Sequence, residues 1–299
     1  MIRLLTHEDR DIVRSYLDRD PLHNVYLIHG LQTHGLECEY VTFWGAFDKG
    51  QLVGVLFADN DSKPRFGCLA SDDPSVLARL GKFALASKVN TLVGKNTYVQ
   101  PAIGNLHSRV HILMKHCHFW EMHPERFVPC YDYPVRAATE EDIPSLIELY
   151  RDYEFRSPHR TEEDIAHEIR RAMAEAGRCF LIELEGRIVS AALVTQETDR
   201  AGMVGVARTL PEFRGRGMYP AVRTACCEYL FKQGKIGLTY ILDTNASMMK
   251  IAEKQGGLIT AEWLIAHVKD KPPLGRRILP PRLRRWGARI RAIVLPRRS

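Results

Sequence analysis

The chain has 299 residues, of which 45% are hydrophobic and 26% charged, and this composition indicates a globular protein of about two domains. No apolar run approaches the ~18 residues that a membrane-spanning helix needs. The N-terminus carries acidic residues early and has no apolar core of a signal peptide. Seven scattered cysteines suit reduced thiols, so we expect a cytoplasmic location.

The net charge of +6 comes from the C-terminus. Residues 271–299 contain one lysine, nine arginines and no acid, which leaves a net charge of −4 on the other 270 residues. Apolar residues of this tail form one helical stripe, made of Leu283, Trp286, Ile290, Ile293 and Val294. The pattern slightly favours peripheral association with a membrane surface over packing on the acidic body. Nucleic acid is a weaker alternative because no second basic cluster supports it.

The first half is expected to begin with helices, continue with a hairpin and end with a helix, a short strand and another helix. The expected helices cover residues 8–17, 24–31, 74–86 and 104–115, and the strands cover residues 40–47, 52–58 and 91–93. Residues 119–128 are aromatic and are expected to be extended. The first half lacks an Arg-Gly-x-Gly turn.

A group of histidines and one cysteine lies at the end of the first half: His107, His111, His116, His118, His123 and Cys117. His107 and His111 would share one face of the expected helix, as metal ligands do. No Cys-x-x-Cys pair or carboxylate-rich pattern accompanies them, so we expect no metal site. We place these residues at the junction between the two halves.

The second half repeats the same order of elements, β-α-α-β-β-β-α-β-α-β, so the first half is interpreted as a diverged copy. Its first helix is expected to be capped by Thr139 and Asp142, and a second helix covers residues 162–176. A hairpin over residues 179–183 and 188–195 follows. The remaining elements are strands over residues 203–207, 238–242 and 258–268, and helices beginning at residues 218 and 246.

The segment from Met203 to Tyr229 reads as strand, tight turn and helix. Its turn, Arg214-Gly215-Arg216-Gly217, contains two glycines that let the backbone come close to a ligand. Free N–H groups and the positive end of the helix dipole meet at this helix N-terminus, which suits a phosphate or pyrophosphate. Arg214 and Arg216 add positive charge at the rim.

This segment, VGVARTLPEFRGRGMYPAV, resembles the acetyl-coenzyme A-binding motif of the GNAT N-acetyltransferases, a strand followed by Q/R-x-x-G-x-G/A and a helix. Glu212 replaces the Gln or Arg that begins the family motif. Farther along, Asn245, Lys254 and Gly256 match the family pattern N-x-x-A-x-x-L-Y-x-K-x-G-F, whereas Ala252 stands at its tyrosine.

The resemblance implies an α/β (α+β) protein with two GNAT-like domains, each a mixed, mostly antiparallel sheet flanked by helices. Residues 1–133 would be a degenerate domain without a coenzyme A site, residues 134–270 the acetyltransferase domain, and residues 271–299 a basic amphipathic tail. In the second domain two parallel strands would splay apart, with the pantetheine arm of the coenzyme between them.

The resemblance also implies the reaction, a direct transfer of acetyl from acetyl-CoA to a primary amine of a small molecule or peptide. The residues expected to bind the coenzyme are Val206, Ala207, Arg214, Gly215, Arg216, Gly217, Met218, Tyr219 and Asn245. An N–H at the end of the strand would stabilise the oxyanion. The loop with Arg156, Ser157 and His159 would cover the acceptor.

The general base and acid stay open. Glu197, Asp199, Asp243 and a chain of waters are candidates for the base, and Tyr219 and Tyr240 for the acid. Because Ala252 replaces the family's tyrosine, a catalytically weak acyl-CoA-binding or regulatory protein is the alternative. The sequence fixes neither the acceptor, nor the length of the acyl chain, nor the oligomeric state.

Overall fold

A computed structural model describes residues 1–62, 65–104, 106, 110–151, 161–175 and 178–270. The strands in this part of the chain are β1 (Ile2–Leu4), β2 (Val41–Asp48), β3 (Gln51–Asp59), β4 (Phe66–Ala70), β5 (Thr91–Lys95), β6 (Val110–Met122), β7 (Arg136–Ala137), β8 (Arg178–Leu184), β9 (Arg187–Glu197), β10 (Ala201–Thr209), β11 (Ile236–Leu242) and β12 (Leu258–Asp270). The helices are α1 (Arg10–Leu17), α2 (Val25–His34), α3 (Pro74–Ala86), α4 (Asn96–Gly104), α5 (Ile143–Tyr150), α6 (Glu162–Glu175), α7 (Met218–Phe231) and α8 (Ala246–Lys254).

All twelve strands form one sheet, in the order β1-β2-β3-β4-β5-β12-β6-β11-β10-β9-β8-β7. The pairs β4–β5 and β10–β11 are parallel and the other pairs are antiparallel. The expected mixed, mostly antiparallel sheet flanked by helices is therefore confirmed. The two sheets that we expected are joined at their edges into a single one.

The two halves exchange their last strands. β12, from the second half, pairs with β5 of the first, and β6, from the first half, pairs with β11 of the second. The two exchanged strands also pair with each other at the centre of the sheet. There Trp263 of β12 stacks on Phe119 of β6 and on Tyr240 of β11, with ring centroids 4.5 and 5.6 Å apart. The division at residues 133 and 134 stays a prediction, and each half supplies one strand that pairs with a strand of the other half.

Each half begins with the same local structure. Arg3 donates to both carboxylate oxygens of Asp9 at 2.7 Å, and Arg136 donates to both oxygens of Asp142 at 2.7 Å. Thr6 and Thr139 complete a capping box with these aspartates, which confirms the predicted cap in the second half. The arginine hydrogen bonds lower the pKa of each aspartate to about 2.

The prediction for residues 104–115 is wrong. α4 ends at Gly104, and the chain continues as β6 rather than as a helix. Apolar residues in a row fit either structure, and pairing with β11 and β12 on both sides decides for a strand. His111 therefore lies on a strand, and His107 lies outside the described residues. Strand β4 was not predicted, because its five residues, with a glycine among them, give little pattern.

The described helices include none that is long and apolar enough to cross a membrane. The basic tail, residues 271–299, lies outside the described part of the chain. Its association with a membrane surface stays a prediction.

Candidate functional site

The two parallel strands of the second half separate after a short paired stretch. β10 pairs with β11 only from Ala201 to Met203, and the strands diverge beyond that point. On its other side, the register between β10 and β9 skips Val206 and Ala207, which together oppose one residue of β9. This arrangement is a β-bulge. It leaves the backbone of both residues outside the regular ladders, at the position where the sequence predicts the pantetheine arm.

Val206 has a positive φ of 50°, which is rare for a β-branched residue. Its carbonyl accepts a hydrogen bond of 2.7 Å from the hydroxyl of Tyr150, at the end of α5. The Tyr150 side chain is buried, with 2% of the residue exposed. The carbonyl of Val206 is thus engaged by the protein itself.

The glycine turn adopts the conformation that its sequence predicts. Gly215 and Gly217 have φ values of 76° and 84°, and Gly217 is the N-cap of α7. Its neighbours do not cap the helix with a side chain, so the first N–H groups of α7 are presented to a ligand. Arg214 donates from Nε to the carbonyl of Thr209 at 3.2 Å, and Arg216 lies over the ring of Phe213.

The segment that joins the two halves forms one wall of this turn. A Cβ added to Gly217 would lie 3.5 Å from Oδ2 of Asp132 and 4.0 Å from the ring of Tyr133. Cys130 holds this segment in place, because its N–H donates to Oγ1 of Thr224 on α7 at 2.9 Å. A carboxylate therefore stands close to the expected pyrophosphate site.

A cavity of about 560 Å³ begins at the separated strands and extends between the two halves. This volume is within the range of small-molecule sites. Its second-half wall includes residues 203–207, Tyr219, residues 239–242 and Asn245. Its first-half wall includes Tyr26, His29, Phe57, Asp59 and Phe66.

Helices from each half reach across the cavity to strands of the other half. Arg171 of α6 lies 3.3 Å from Asp59 at the end of β3, and His167 of α6 lies 2.7 Å from Asp61. In the opposite direction, Nδ1 of His29 on α2 lies 3.0 Å from the carbonyl of Glu197 at the end of β9. These contacts fix the two halves to each other around the cavity.

The predicted coenzyme residues lie around the cavity and its entrance. Val206, Ala207, Tyr219 and Asn245 line it, and residues 214–218 form the glycine turn beside it. Asn245 also caps α8, because its Oδ1 accepts the N–H of Met248 at 3.2 Å. The side chain of Met218 is buried, so its backbone N–H is the group that can reach a phosphate.

The predicted carboxylates are engaged elsewhere. Glu197 pairs with Lys235, and its Oε2 accepts the hydroxyl of Tyr229 at 3.1 Å. Asp199 pairs with Arg14 at 2.8 Å, and Asp243 is exposed. Among the acid–base candidates in the described residues, only the tyrosines Tyr219 and Tyr240 line the cavity.

Sequence reasoning missed the part of the wall that the first half supplies. The hydroxyls of Tyr26 and Tyr240 lie 3.5 Å apart. Burial raises the pKa of Tyr26 well above the ordinary value. Tyr26 and His29 are three residues apart on α2, a spacing that puts both on one helix face. Ala252, at the position of the family's tyrosine, is fully buried in the core.

The part of the chain that the structure describes contains no group of three His, Cys, Asp or Glu side chains able to hold a metal ion. His116 and His118 lie on β6, two residues apart, and so belong to one face of the strand. The loop with Arg156, Ser157 and His159 is outside the described residues.

Residues 135–257 match the family model of the acetyltransferase (GNAT) domain. The match covers 123 of the 299 residues, all of them in the second half, which is therefore similar to a GNAT domain. No curated protein matches the chain in sequence.

Solved structures are similar to the chain over both halves. A GNAT acetyltransferase from Colwellia psychrerythraea is 12% identical with a TM-score of 0.59, and the match covers 90% of this chain and 100% of that one. A GCN5-related N-acetyltransferase from Sphaerobacter thermophilus is 13% identical with a TM-score of 0.62, covering 91% and 96%. A tandem GNAT protein from the clavulanic acid biosynthesis pathway is 15% identical with a TM-score of 0.59, covering 91% and 99%. At these identities the likeness shows the fold.

Proposed function

We propose that the chain is an N-acetyltransferase that transfers acetyl directly from acetyl-CoA to a primary amine of a small molecule or peptide. One observation carries the proposal. The glycine turn at the start of α7 follows a strand whose bulge opens into the cavity between the halves.

The coenzyme would be held mainly by backbone groups. The N–H groups at the start of α7 bind the pyrophosphate, with Arg214 and Arg216 adding charge. The pantetheine arm lies along β10 in the space left by the departure of β11. The N–H of Ala207 belongs to the same peptide unit as the Val206 carbonyl that Tyr150 holds, and it is the donor proposed for the thioester carbonyl.

In the reaction the neutral amine attacks the thioester carbonyl, so a C–N bond forms and the C–S bond breaks. The Ala207 N–H stabilises the negative charge on the carbonyl oxygen. Water takes the proton of the ammonium before the attack, since Glu197, Asp199 and Asp243 do not line the cavity. The nitrogen loses a second proton after the attack, and this proton passes through water to the tyrosine that protonates the thiolate. Tyr219 or Tyr240 donates a proton to the thiolate of coenzyme A. The acceptor would occupy the end of the cavity that the first half encloses.

A second candidate is an acyl-CoA-binding protein with little transferase activity. The observation that favours it is the burial of Ala252, which puts no hydroxyl at the family's tyrosine position. Release of coenzyme A in the presence of a panel of primary amines separates the two functions. Tight binding of acetyl-CoA without release for any amine would support the second candidate.

The first test is calorimetric titration of acetyl-CoA into the wild type, Gly217→Trp and Gly50→Trp. Gly50 is a matched control, since its φ of 83° is close to the 84° of Gly217 and a tryptophan is therefore similarly strained at both positions. The turn of Gly50 lies far from the site. We expect micromolar binding to the wild type and to Gly50→Trp, and none to Gly217→Trp. Absence of binding to the wild type would refute the proposed function.

A further inference from the structure

The bulge in β10 contains an unfavourable backbone conformation, which neighbouring interactions must stabilise. Valine at a φ of 50° crowds its branched side chain against the backbone, so Val206 left to itself would return to a negative φ. Glycine is the residue that adopts such angles freely. A strained conformation of this kind persists only where neighbouring groups enforce it.

Tyr150 is the neighbour placed to do so. Its hydroxyl donates to the Val206 carbonyl at 2.7 Å, and both residues line the cavity. The ring of Tyr150 belongs to the apolar core that α5 and α6 form with β8 and β9, and Val206 packs against the same core. The hydroxyl is therefore mounted on a rigid support, and burial strengthens its hydrogen bond.

The carbonyl of Val206 and the N–H of Ala207 belong to one peptide unit. That unit is planar and trans, so the two groups point in opposite directions. A hydrogen bond that fixes the carbonyl toward α5 therefore also fixes the direction of the N–H. Ala207 lines the cavity beside the separated strands.

We propose that Tyr150 is a positioning residue, which orients the Ala207 N–H toward the thioester carbonyl of the acyl donor by holding the Val206 carbonyl. This inference rests on the proposed function for its chemistry. The hydrogen bond by which Tyr150 fixes the peptide unit is present in the protein without a ligand. The two can therefore be tested separately.

The free protein is tested by NMR. Val206-Ala207 is the one Val-Ala pair in the sequence. Protein labelled with carbonyl-¹³C valine and ¹⁵N alanine thus gives a single carbonyl–amide correlation, from this peptide unit. We expect the correlation to move in Tyr150→Phe, which removes the hydroxyl and keeps the ring. The double variant Tyr150→Phe with Val206→Gly and the single variant Val206→Gly are labelled with carbonyl-¹³C glycine and ¹⁵N alanine instead, which adds one Gly-Ala correlation to the two of the unchanged sequence. We expect this added correlation to differ less between the two variants than the Val-Ala correlation differs between the wild type and Tyr150→Phe, because glycine keeps the positive φ without help.

The acyl donor is tested by infrared spectroscopy of bound acetyl-CoA labelled with ¹³C at the thioester carbonyl. A hydrogen bond from Ala207 lowers the carbonyl frequency in the wild type. We expect the frequency to rise in Tyr150→Phe and to fall again in the double variant. The rate of coenzyme A release should drop by up to about 100-fold in Tyr150→Phe, the lower end of the range for loss of an oxyanion donor, because the N–H is turned away rather than removed. Binding of free coenzyme A should stay close to that of the wild type.

The proposal is overturned if Tyr150→Phe leaves the Val-Ala correlation in place. It is also overturned if the Val-Ala correlation moves and the added Gly-Ala correlation moves as far between Val206→Gly and the double variant, while the protein still binds coenzyme A. If the wild type binds no acetyl-CoA, the proposed function fails, and the NMR comparison still decides whether Tyr150 holds the bulge.

Discussion

The N-termini of α3 and α7 occupy corresponding places in the two halves and carry opposite charges. α3 begins at Pro74 directly after Asp72 and Asp73, and Asp73 accepts the N–H of Ser75 at 2.7 Å. α7 begins after a glycine turn with two arginines and has no side-chain cap. In the first half a carboxylate occupies the place where an anion would bind.

Under the proposed function, this difference is how one fold gains or loses an anion site through a few residues. The strand-to-helix connection has three residues in the first half, from Ser71 to Asp73, and eight in the second, from Leu210 to Gly217. The shorter connection leaves no room for a glycine turn. It supports the prediction that the first half binds no coenzyme, so its contribution is the wall of the shared cavity.

The largest expected effect comes from removing the positive charge of the glycine turn, which would make the start of α7 more like that of α3. We expect the double variant Arg214→Ala with Arg216→Ala to lose about 3 kcal/mol of binding free energy for acetyl-CoA, since hydrogen bonds to charged groups contribute about 1.5–3 kcal/mol each. The loss should shrink at high salt. Calorimetry measures it, with Arg10→Ala as an exposed control. An unchanged affinity would move the pyrophosphate away from this turn.

The sixth residue of each helix sharpens the comparison further. Arg79 of α3 is exposed, whereas Arg223 of α7 is fully buried. Its Nη1 lies 3.5 Å from Gln255, its Nη2 lies 2.8 Å from the sulfur of Met122, and its Nε has no hydrogen-bond partner. Among the described residues no carboxylate pairs with Arg223, so its charge is buried without compensation.

We therefore expect Arg223→Met to raise the free energy of unfolding by about 1–3 kcal/mol, because a hydrophobic residue of similar volume replaces a desolvated charge. Urea denaturation measures the change, and Arg79→Met should alter stability little. A loss of stability in Arg223→Met would mean that the weak contacts of the guanidinium outweigh its desolvation. Coenzyme affinity measured in parallel shows whether the charge of Arg223 also contributes to binding at the glycine turn.

The matching Arg–Asp pairs at the start of the two halves predict equal effects on the free energy of unfolding. Asp9→Asn and Asp142→Asn should each cost about 1 kcal/mol, a value reduced because their arginine partners are 39% and 44% exposed and screened by water. The folded pKa of each aspartate, about 2, is below its unfolded value. The stabilisation is therefore complete above the unfolded pKa and disappears as the pH falls through about 2. Denaturation at several pH values measures it. Unequal effects would show that the two halves no longer share this structure.

The smallest expected effect is at the wall of the glycine turn. Asp132 places a carboxylate close to Gly217, where it would repel the proposed pyrophosphate. We expect Asp132→Asn to tighten binding of coenzyme A about two- to fivefold at low salt, with less effect at high salt. Titrations at two ionic strengths measure this, and Asp48→Asn, at the exposed turn of Gly50, is the control. Weaker binding in Asp132→Asn would assign Asp132 a supporting role.

The sequence was most informative where local chemistry decides the structure. The glycine turn, the cap at Thr139 and the helices at Pro74 and Ala246 depend on neighbouring residues, and they were predictable. The repeat Arg-x-x-Thr-x-x-Asp at the start of both halves is likewise visible in the sequence, and it is the local signal of their common structure.

Long-range pairing was not predictable. Residues 110–122 contain an apolar run that fits helix or strand, and only their position between two other strands decides. The contribution of Tyr26, His29 and Asp59 to the cavity depends on how the halves face each other. The link between Tyr150 and Val206 joins residues 56 positions apart, and no local pattern announces it.

The exchange of β6 and β12 has a consequence for how the protein is made. On the ribosome the N-terminal portion emerges first, and one edge of its strand β5 has no partner until β12, the last strand, has been synthesised. Until β12 arrives, the edge of β5 is open to pairing with other nascent chains. Synthesis and closure of the whole sheet are thus coupled, and neither portion can be expressed alone with its central strands complete.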